Sequence, residues 1–272
     1  MKYKMIVSDM DDTLLRDDFT ISSATKEAII KAQEQGIKFV LCTGRPTYAT
    51  KKYAEELFLH KFGSYIISYN GAVITDMKTR KEIYKKVIPN KDLMKLSRMS
   101  NHINLDMHTY INDEIVTEND NKFTRIDKEI TGMPIRVIES FDKEIKDDVV
   151  KVLMLQDPLF LKTIEKDLQN IYKDKFSITI SKPYFLDFMP LGVNKGNSLG
   201  KLASLLKIEP EEIIAIGDSY NDKEMLSFVG MPVCVENAHE EIKKKAKFVT
   251  SSNNDDGVRK AIEELIFKDP AL

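Results

Sequence analysis

The stretch MIVSDMDDTLL, residues 5–15, joins a short apolar run to three aspartates, and its reading decides the fold. Met5, Ile6 and Val7 have the character of a buried strand, and Asp9, Asp11 and Asp12 follow at once. Two like charges ~4 Å apart repel by roughly 1 kcal/mol in water and roughly 4 kcal/mol at an effective dielectric of ~20, so carboxylates gathered beside a core need compensation. A bound cation is the simplest compensation.

From this strand outward the chain alternates. SSATKEAIIKAQEQG (22–36) offers Ser22 and Ser23 as N-caps, Ala28, Ile29 and Ala32 at helical spacing, and Gly36 as a stop. IKFVLCTGRP (37–46) reads as a second buried strand ending in a glycine turn, and TYATKKYAEELF (47–58) as a helix. YIISYNGAVIT (65–75) is a third apolar run, broken by the tight-turn dipeptide Asn70-Gly71. Strand, helix, strand, helix predicts a parallel sheet.

From about residue 82 the texture changes to longer polar connections and mixed strands, INLDMHTYI (103–111), KVLMLQ (151–156) and FSITIS (176–181), with PLFLKTIEKDLQNIY (158–172) as a helix. Near Pro190 the alternation resumes through NSLGKLASLLKI (197–208), EEIIAIGDS (211–219), NDKEMLSFV (221–229) and MPVCVEN (231–237), closing on the helical DDGVRKAIEELIF (255–267). The expected architecture is α/β: a doubly wound, mainly parallel sheet built from residues 1–81 and 190–272, interrupted by an α+β module over residues 82–189.

At 272 residues, 42% hydrophobic and 31% charged, the composition is that of a soluble globular protein. Lys and Arg number 41 against 43 Asp and Glu, a net charge of −2, which argues against nucleic acid or an anionic membrane as a general partner. The first apolar run is too short for a signal peptide, and no apolar stretch approaches the ~18 residues of a membrane span, so a cytoplasmic location is expected. Two cysteines, Cys42 and Cys234, argue against a disulfide framework, and Cys42 reads as a small buried thiol.

In open α/β sheets ligands bind outside the carboxyl ends of the strands. Three segments put polar groups at such ends: Asp9 and Asp11 after the first strand, Thr43 and Gly44 after the second, and Asp218 with Asp222 after IIAIG. Gathered carboxylates suit Mg2+, which takes one or two of them together with waters and substrate phosphate oxygens. TGRP supplies a hydroxyl and amides leading into a helix, and GVNKGNSLG supplies Lys195 at another helix start; phosphoryl transfer needs such donors and such a charge.

The ordered set DMDDT (9–13), TGR (43–45), NGA (70–72), NKG (194–196) and GDSYND (217–222) resembles the haloacid dehalogenase superfamily phosphatases, in particular the Cof-type branch with a large α/β cap. The resemblance spans most of the chain. It implies a Rossmann-like core with an inserted, substrate-selecting cap, and Mg2+-dependent hydrolysis of small phosphorylated metabolites such as sugar phosphates, nucleotides or phosphorylated cofactors. By the same resemblance Asp9 is the nucleophile and Asp11 the general acid and base. Met10 through its amide, Thr43, Gly44, Lys195 and Asn221 hold the phosphate. Asp9, the backbone carbonyl of Asp11 and Asp218 bind the metal, with Asp222 acting through water or orienting Lys195. Asp12 stands where the branch commonly has glycine, and Asp tolerates unusual turn dihedrals.

A phosphomutase of the same fold and a catalytically silent phosphometabolite-binding protein are the alternatives. A response-regulator receiver fits less well, because motif order and the long insertion differ from it. In the inserted module His108, Tyr110, Lys182 and Tyr184 lie on expected strands, and for each a packing or surface role is favoured over substrate contact.

Overall fold

The computed structural model describes residues 2–268; residue 1 and residues 269–272, the outer ends of the expected core segments, lie outside the described residues. Packing divides the chain into two compact units: the described parts of Met1–Tyr84 with Asn194–Leu272, and Lys85–Val193. In chain order the strands are β1 (Met5–Ser8), β2 (Lys38–Cys42), β3 (Tyr65–Ser68), β4 (Val73–Asp76) and β5 (Lys81–Lys85). There follow β6 (Asp106–Ile111), β7 (Glu114–Thr117), β8 (Ile135–Val137), β9 (Val152–Leu155), β10 (Phe176–Lys182) and β11 (Phe185–Pro190). The last three are β12 (Ile213–Gly217), β13 (Met231–Cys234) and β14 (Phe248–Val249).

The larger sheet has the order β14-β13-β12-β1-β2-β3-β4-β5. Pairing is parallel from β14 through β3, and β4 returns antiparallel to β3 across the turn at Asn70-Gly71. Its central strands are mostly apolar and buried, as strands covered on both faces are, and Met5, Ile6, Val7, Val40, Leu41, Ala215 and Ile216 are fully buried. The helix Ser23–Glu34 begins where Ser22 caps the Thr25 amide at 3.1 Å and buries Ala28, Ile29 and Ala32. Each large apolar side chain so buried contributes about 1.5–3 kcal/mol.

The strand order fixes where a ligand can sit. After β1 the chain moves to β2 on one side; after β12 it moves to β13 on the other. Since β1 and β12 are neighbours, with Ser8 opposite Ile216, their connections diverge and leave a crevice at the carboxyl ends. Asp9 and Asp218 are the residues that follow those two strands.

The second unit holds a six-stranded sheet, β10-β11-β9-β6-β7-β8, antiparallel except for β7 with β8. Met107, Val152, Met154, Leu186 and Phe188 pack with Leu93, Leu96, Leu161 and Leu168 of two helices in a separate core. His108 and Tyr110, one period-2 step apart on β6, both reach the buried Asp127: His108 Nε2 lies 3.2 Å from its Oδ2, and the Tyr110 hydroxyl donates to the same oxygen at 2.8 Å. Burial pushes the Asp127 carboxyl up, but His108, Tyr110 and the charge of Lys151 together outweigh that and hold it below the usual range. Tyr184 stacks on Phe123 with ring centroids 5.7 Å apart, and Lys182 ends β10.

Candidate active site

The loop after β1 is a single wide turn closed by the Leu15 amide donating to the Met10 carbonyl at 2.8 Å. Asp9 leaves the strand extended, Asp11 is also extended, and Asp12 takes a left-handed conformation, φ 57° and ψ 8°. That conformation is where glycine is commonest and where Asp is among the better-tolerated alternatives. Asn237 Nδ2 donates to the Asp12 carbonyl at 2.7 Å and holds the turn from outside. Met10 points into the core and is fully buried, so its side chain anchors the loop between the two carboxylates.

Lys195 opens the helix Lys195–Leu206, whose N-cap Asn194 accepts from the Asn197 amide at 2.7 Å. Its ammonium, 0% exposed, is bound by Asp9 Oδ1 and lies 2.6 Å from Asp222 Oδ1. The other oxygen of Asp222 accepts from the amides of Asp218 at 3.0 Å and Ser219 at 3.1 Å, so one carboxylate holds both the lysine and the loop after β12. Thr13 donates to Asp218 Oδ1 at 2.8 Å, tying the loop after β1 to the same place. Glycine at 196 is required by close approach, since a Cβ there would lie 2.5 Å from the Glu224 carbonyl carbon.

Charge is unbalanced at this site. Three buried carboxylates face one ammonium, −3 + 1 = −2 when all are ionised. Burial, only partly offset by Lys195, raises the Asp9 carboxyl well above the usual range, and Asp222, Asp218 and Asp11 push the same way. Burial and the charge of Asp222 push Asp218 up to about 7, with the Thr13 hydrogen bond opposing. Burial works against the charge of Lys195, but Asp222 and Asp9 outweigh it and hold the ammonium above its usual range. Burial also raises the nearby Cys42 thiol, which is chemically inert as a result.

One ligand atom from each of Asp9, Asp218 and Asp222 lies within 4.8 Å of the others. All are hard oxygen donors, and their excess of negative charge is what a divalent cation neutralises, so the residues present fit Mg2+. The cluster contains Asp222 rather than the Asp11 side chain, which turns away to Arg45; the expectation for Asp11 concerned its backbone carbonyl.

The loop after β2 brings in the remaining groups. Thr43 is fully buried; its amide donates to the Ile67 carbonyl at 2.8 Å, and its Oγ1 accepts from the Arg45 amide at 3.1 Å. Gly44 lies against the side chain of Asn70, and the Asn70 backbone amide donates to the Thr43 carbonyl at 2.9 Å. Asn221 is exposed and donates to Asn70 Oδ1 at 3.3 Å, which places it beside the loop after β2 and outside the carboxylate cluster. Gly71 adopts φ +104°, and a Cβ there would lie 2.5 Å from the Asn194 carbonyl oxygen; its own carbonyl accepts from Ser198 at 2.5 Å. The turn at Asn70-Gly71 therefore packs directly on the start of the Lys195 helix.

Two contacts were not readable from sequence. Arg45 pairs with Asp11 through two bonds, and Thr13 holds Asp218. Both residues end their motifs, TGR and DMDDT, and that placement was the available signal.

Known proteins resemble this chain over nearly its whole length. Residues 6–262 match the family described as haloacid dehalogenase-like hydrolase. A haloacid dehalogenase-like hydrolase from Bacteroides thetaiotaomicron superposes with a TM-score of 0.93 at 39% identity, covering 97% of this chain and 100% of its own. The 5-amino-6-(5-phospho-D-ribitylamino)uracil phosphatase YwtE of Bacillus subtilis is 32% identical over 285 residues, covering 97% of this chain and 98% of its own. A phosphoglycolate phosphatase of Methanobrevibacter smithii is 30% identical over 273 residues, 98% of this chain and 100% of its own. With a match over nearly its whole length and the carboxylates and lysine gathered at the β1 and β12 ends, the chain belongs to the haloacid dehalogenase-like hydrolase family.

Proposed function

We propose that this protein is a Mg2+-dependent phosphatase that hydrolyses small phosphorylated metabolites through an aspartyl-phosphate on Asp9. The observation that carries the reading is the Asp9–Lys195–Asp222 arrangement at the crevice between β1 and β12, with Asp218 beside it. It combines a carboxylate nucleophile, a fixed cation and a cation-binding carboxylate set.

The roles divide as follows. Lys195, the Thr43 hydroxyl and the amides of Met10 and Gly44 bind the phosphate oxygens, assisted by Asn221. An oxygen of the Asp9 carboxylate attacks phosphorus; the bond from phosphorus to the leaving oxygen breaks, and that oxygen takes a proton from Asp11. Asp11, now a carboxylate, then accepts a proton from water as the water oxygen attacks phosphorus. The Asp9–phosphorus bond breaks, inorganic phosphate leaves, and both aspartates return to their starting forms. Asp9, the Asp11 carbonyl and Asp218, with Asp222 in support, would hold Mg2+, which would supply charge neutralisation to the phosphate oxygens when bound.

The two phosphatases above are named for unlike substrates at similar identity to this chain, so neither name transfers. Sugar phosphates, nucleotides and phosphorylated cofactors are the proposed substrate class, and the choice among them is assigned to the inserted residues 82–189. The test is inorganic phosphate release from a panel of sugar phosphates, nucleotides, pyridoxal phosphate and flavin mononucleotide, with Mg2+ and with chelator. Mg2+-dependent release is expected. Folded, Mg2+-binding protein that releases phosphate from no member of the panel would count against hydrolysis, and transfer of the phosphoryl group to a second hydroxyl would make the protein a mutase.

A further inference from the structure

Arg45 is the one residue of the TGR motif to which the reaction above gives no task, yet it is among the most constrained in the site. Its side chain is 8% exposed although it carries a full charge. Nε donates to Asp11 Oδ2 at 2.8 Å and Nη2 to Asp11 Oδ1 at 2.5 Å, a two-bond fork. The guanidinium carbon lies 5.5 Å from the ring centroid of Phe19 and 5.8 Å from that of Tyr53. Tyr53 in turn donates its hydroxyl to the Phe19 backbone carbonyl at 3.0 Å, which ties its ring to the Phe19 backbone. Phe19 itself sits at φ 60°, a conformation that a bulky residue keeps only when its surroundings impose it. The Arg45 backbone is pinned as well, its amide by Thr43 Oγ1 at 3.1 Å and its carbonyl by the Tyr69 amide at 2.9 Å.

The Asp11 side chain, by contrast, is 41% exposed. Among the described residues Arg45 is the partner the structure gives its carboxylate. A single bond to a carboxylate leaves rotation about that bond free, whereas two parallel bonds from a planar fork set the plane of the carboxylate. Burial opposes the charge of Arg45, but its bonds to Asp11 outweigh this and keep it a cation.

We propose that Arg45 is a positioning residue for Asp11: the fork, clamped between Phe19 and Tyr53, fixes the plane of the carboxylate that moves protons to and from the leaving group. A hydroxyl oxygen accepts more weakly than a carboxylate oxygen, so a proton on Asp11 weakens one bond of the fork while the other holds the group; donation of that proton to the leaving oxygen restores both at full strength. The same exchange runs in reverse when Asp11 takes a proton from water.

This inference rests on the phosphatase reading, and its consequence is selective. A leaving group that departs readily without a proton needs Asp11 little; a poor one needs it fully. Phenyl phosphate and p-nitrophenyl phosphate are close in size and differ in just this respect. For each, kcat/KM reports the steps through leaving-group departure. The variants are Arg45→Lys, which keeps the charge and loses the fork, and Phe19→Ala, which removes one side of the clamp at an exposed position.

With Mg2+ saturating, Arg45→Lys is expected to lower kcat/KM for phenyl phosphate about tenfold or more and for p-nitrophenyl phosphate less than about threefold. The loss should fall in kcat rather than in KM, and Phe19→Ala should show the same ordering at smaller size. Equal losses on the two esters, or a loss confined to KM, would overturn the positioning role and leave the phosphatase reading standing. Wild-type protein inactive on both esters would overturn the phosphatase reading and this inference with it. Should Arg45→Lys fail to fold, Phe19→Ala decides between the same two results.

Discussion

Chelating divalent metal and raising the pH from about 5 to about 8 should destabilise this protein, and Mg2+ should reverse the effect at the upper end of that range. The carboxyl of Asp218 titrates at about 7 in the folded chain, against ~3.9 for an ordinary Asp. Between those values the native state holds a proton that the unfolded state has lost, so stability falls as pH rises through the window, and the loss is complete above about pH 7. Between about pH 5 and about pH 8 roughly two units of that window are crossed, and at ~1.4 kcal/mol each they give roughly 3 kcal/mol. Asp9 shifts in the same direction and adds to the slope; because the two share neighbours, the titration belongs to the cluster. Against the 5–15 kcal/mol typical of a folded domain this is a large fraction. Scanning calorimetry with chelator and with excess Mg2+, at about pH 5 and about pH 8, reads it directly. The metal-free midpoint should be lower at pH 8, and Mg2+ should raise it much more at pH 8 than at pH 5, where protons already compensate the carboxylates. A metal-free midpoint that is flat or rises with pH, or an equal Mg2+ effect at both, would refute the charge argument.

Lys195→Met removes the cation between Asp9 and Asp222 while roughly keeping volume; it should cost about 3–5 kcal/mol without metal and lower kcat about a hundredfold or more, measured by denaturation and phosphate release. Gly71→Ala puts a Cβ 2.5 Å from the Asn194 oxygen at a φ of +104°; it should destabilise by about 2 kcal/mol or more and reduce activity through the Lys195 helix, which calorimetry and kcat together would show. Asp9→Asn should abolish turnover and leave the far-ultraviolet circular dichroism unchanged, and appreciable activity in a clean preparation would remove Asp9 as nucleophile.

Much of the fold was legible because its signals are local. Residues 5–7, 39–42 and 213–217 are apolar without alternation, as strands buried on both faces must be, and the helices between them carry caps and apolar stripes. Parallel pairing then puts the carboxyl ends of β1, β2 and β12 on one edge, so the nearness of Asp9, Thr43 and Asp218 follows from chain order once the strands are placed. Side-chain partnerships were not legible, since they depend on how loops fold against each other. Arg45 could have reached any of several acids; in the folded chain it lies beside Phe19 and Tyr53 and pairs with Asp11. For Asp222 the resemblance implied acting through water or orienting Lys195; that its two oxygens divide between Lys195 and the amides after β12 is a detail no spacing rule reveals. In the second unit, alternation on β6 put His108 and Tyr110 on one face, but their shared partner Asp127 comes from a helix whose packing the pattern does not specify. Asp12 departs from glycine and still adopts the left-handed turn, so the backbone need was readable while the external hold from Asn237 was not.

The most direct measurement is the site of covalent phosphate. Asp11→Asn keeps the nucleophile and slows the step that needs a base, so protein mixed with p-nitrophenyl phosphate and Mg2+, quenched in acid and mapped by peptide mass spectrometry, should carry phosphate on Asp9 in near-stoichiometric amount. Release of p-nitrophenol with no phosphate on the protein, or phosphate on a residue other than Asp9, would contradict the assignment of Asp9 as the nucleophile.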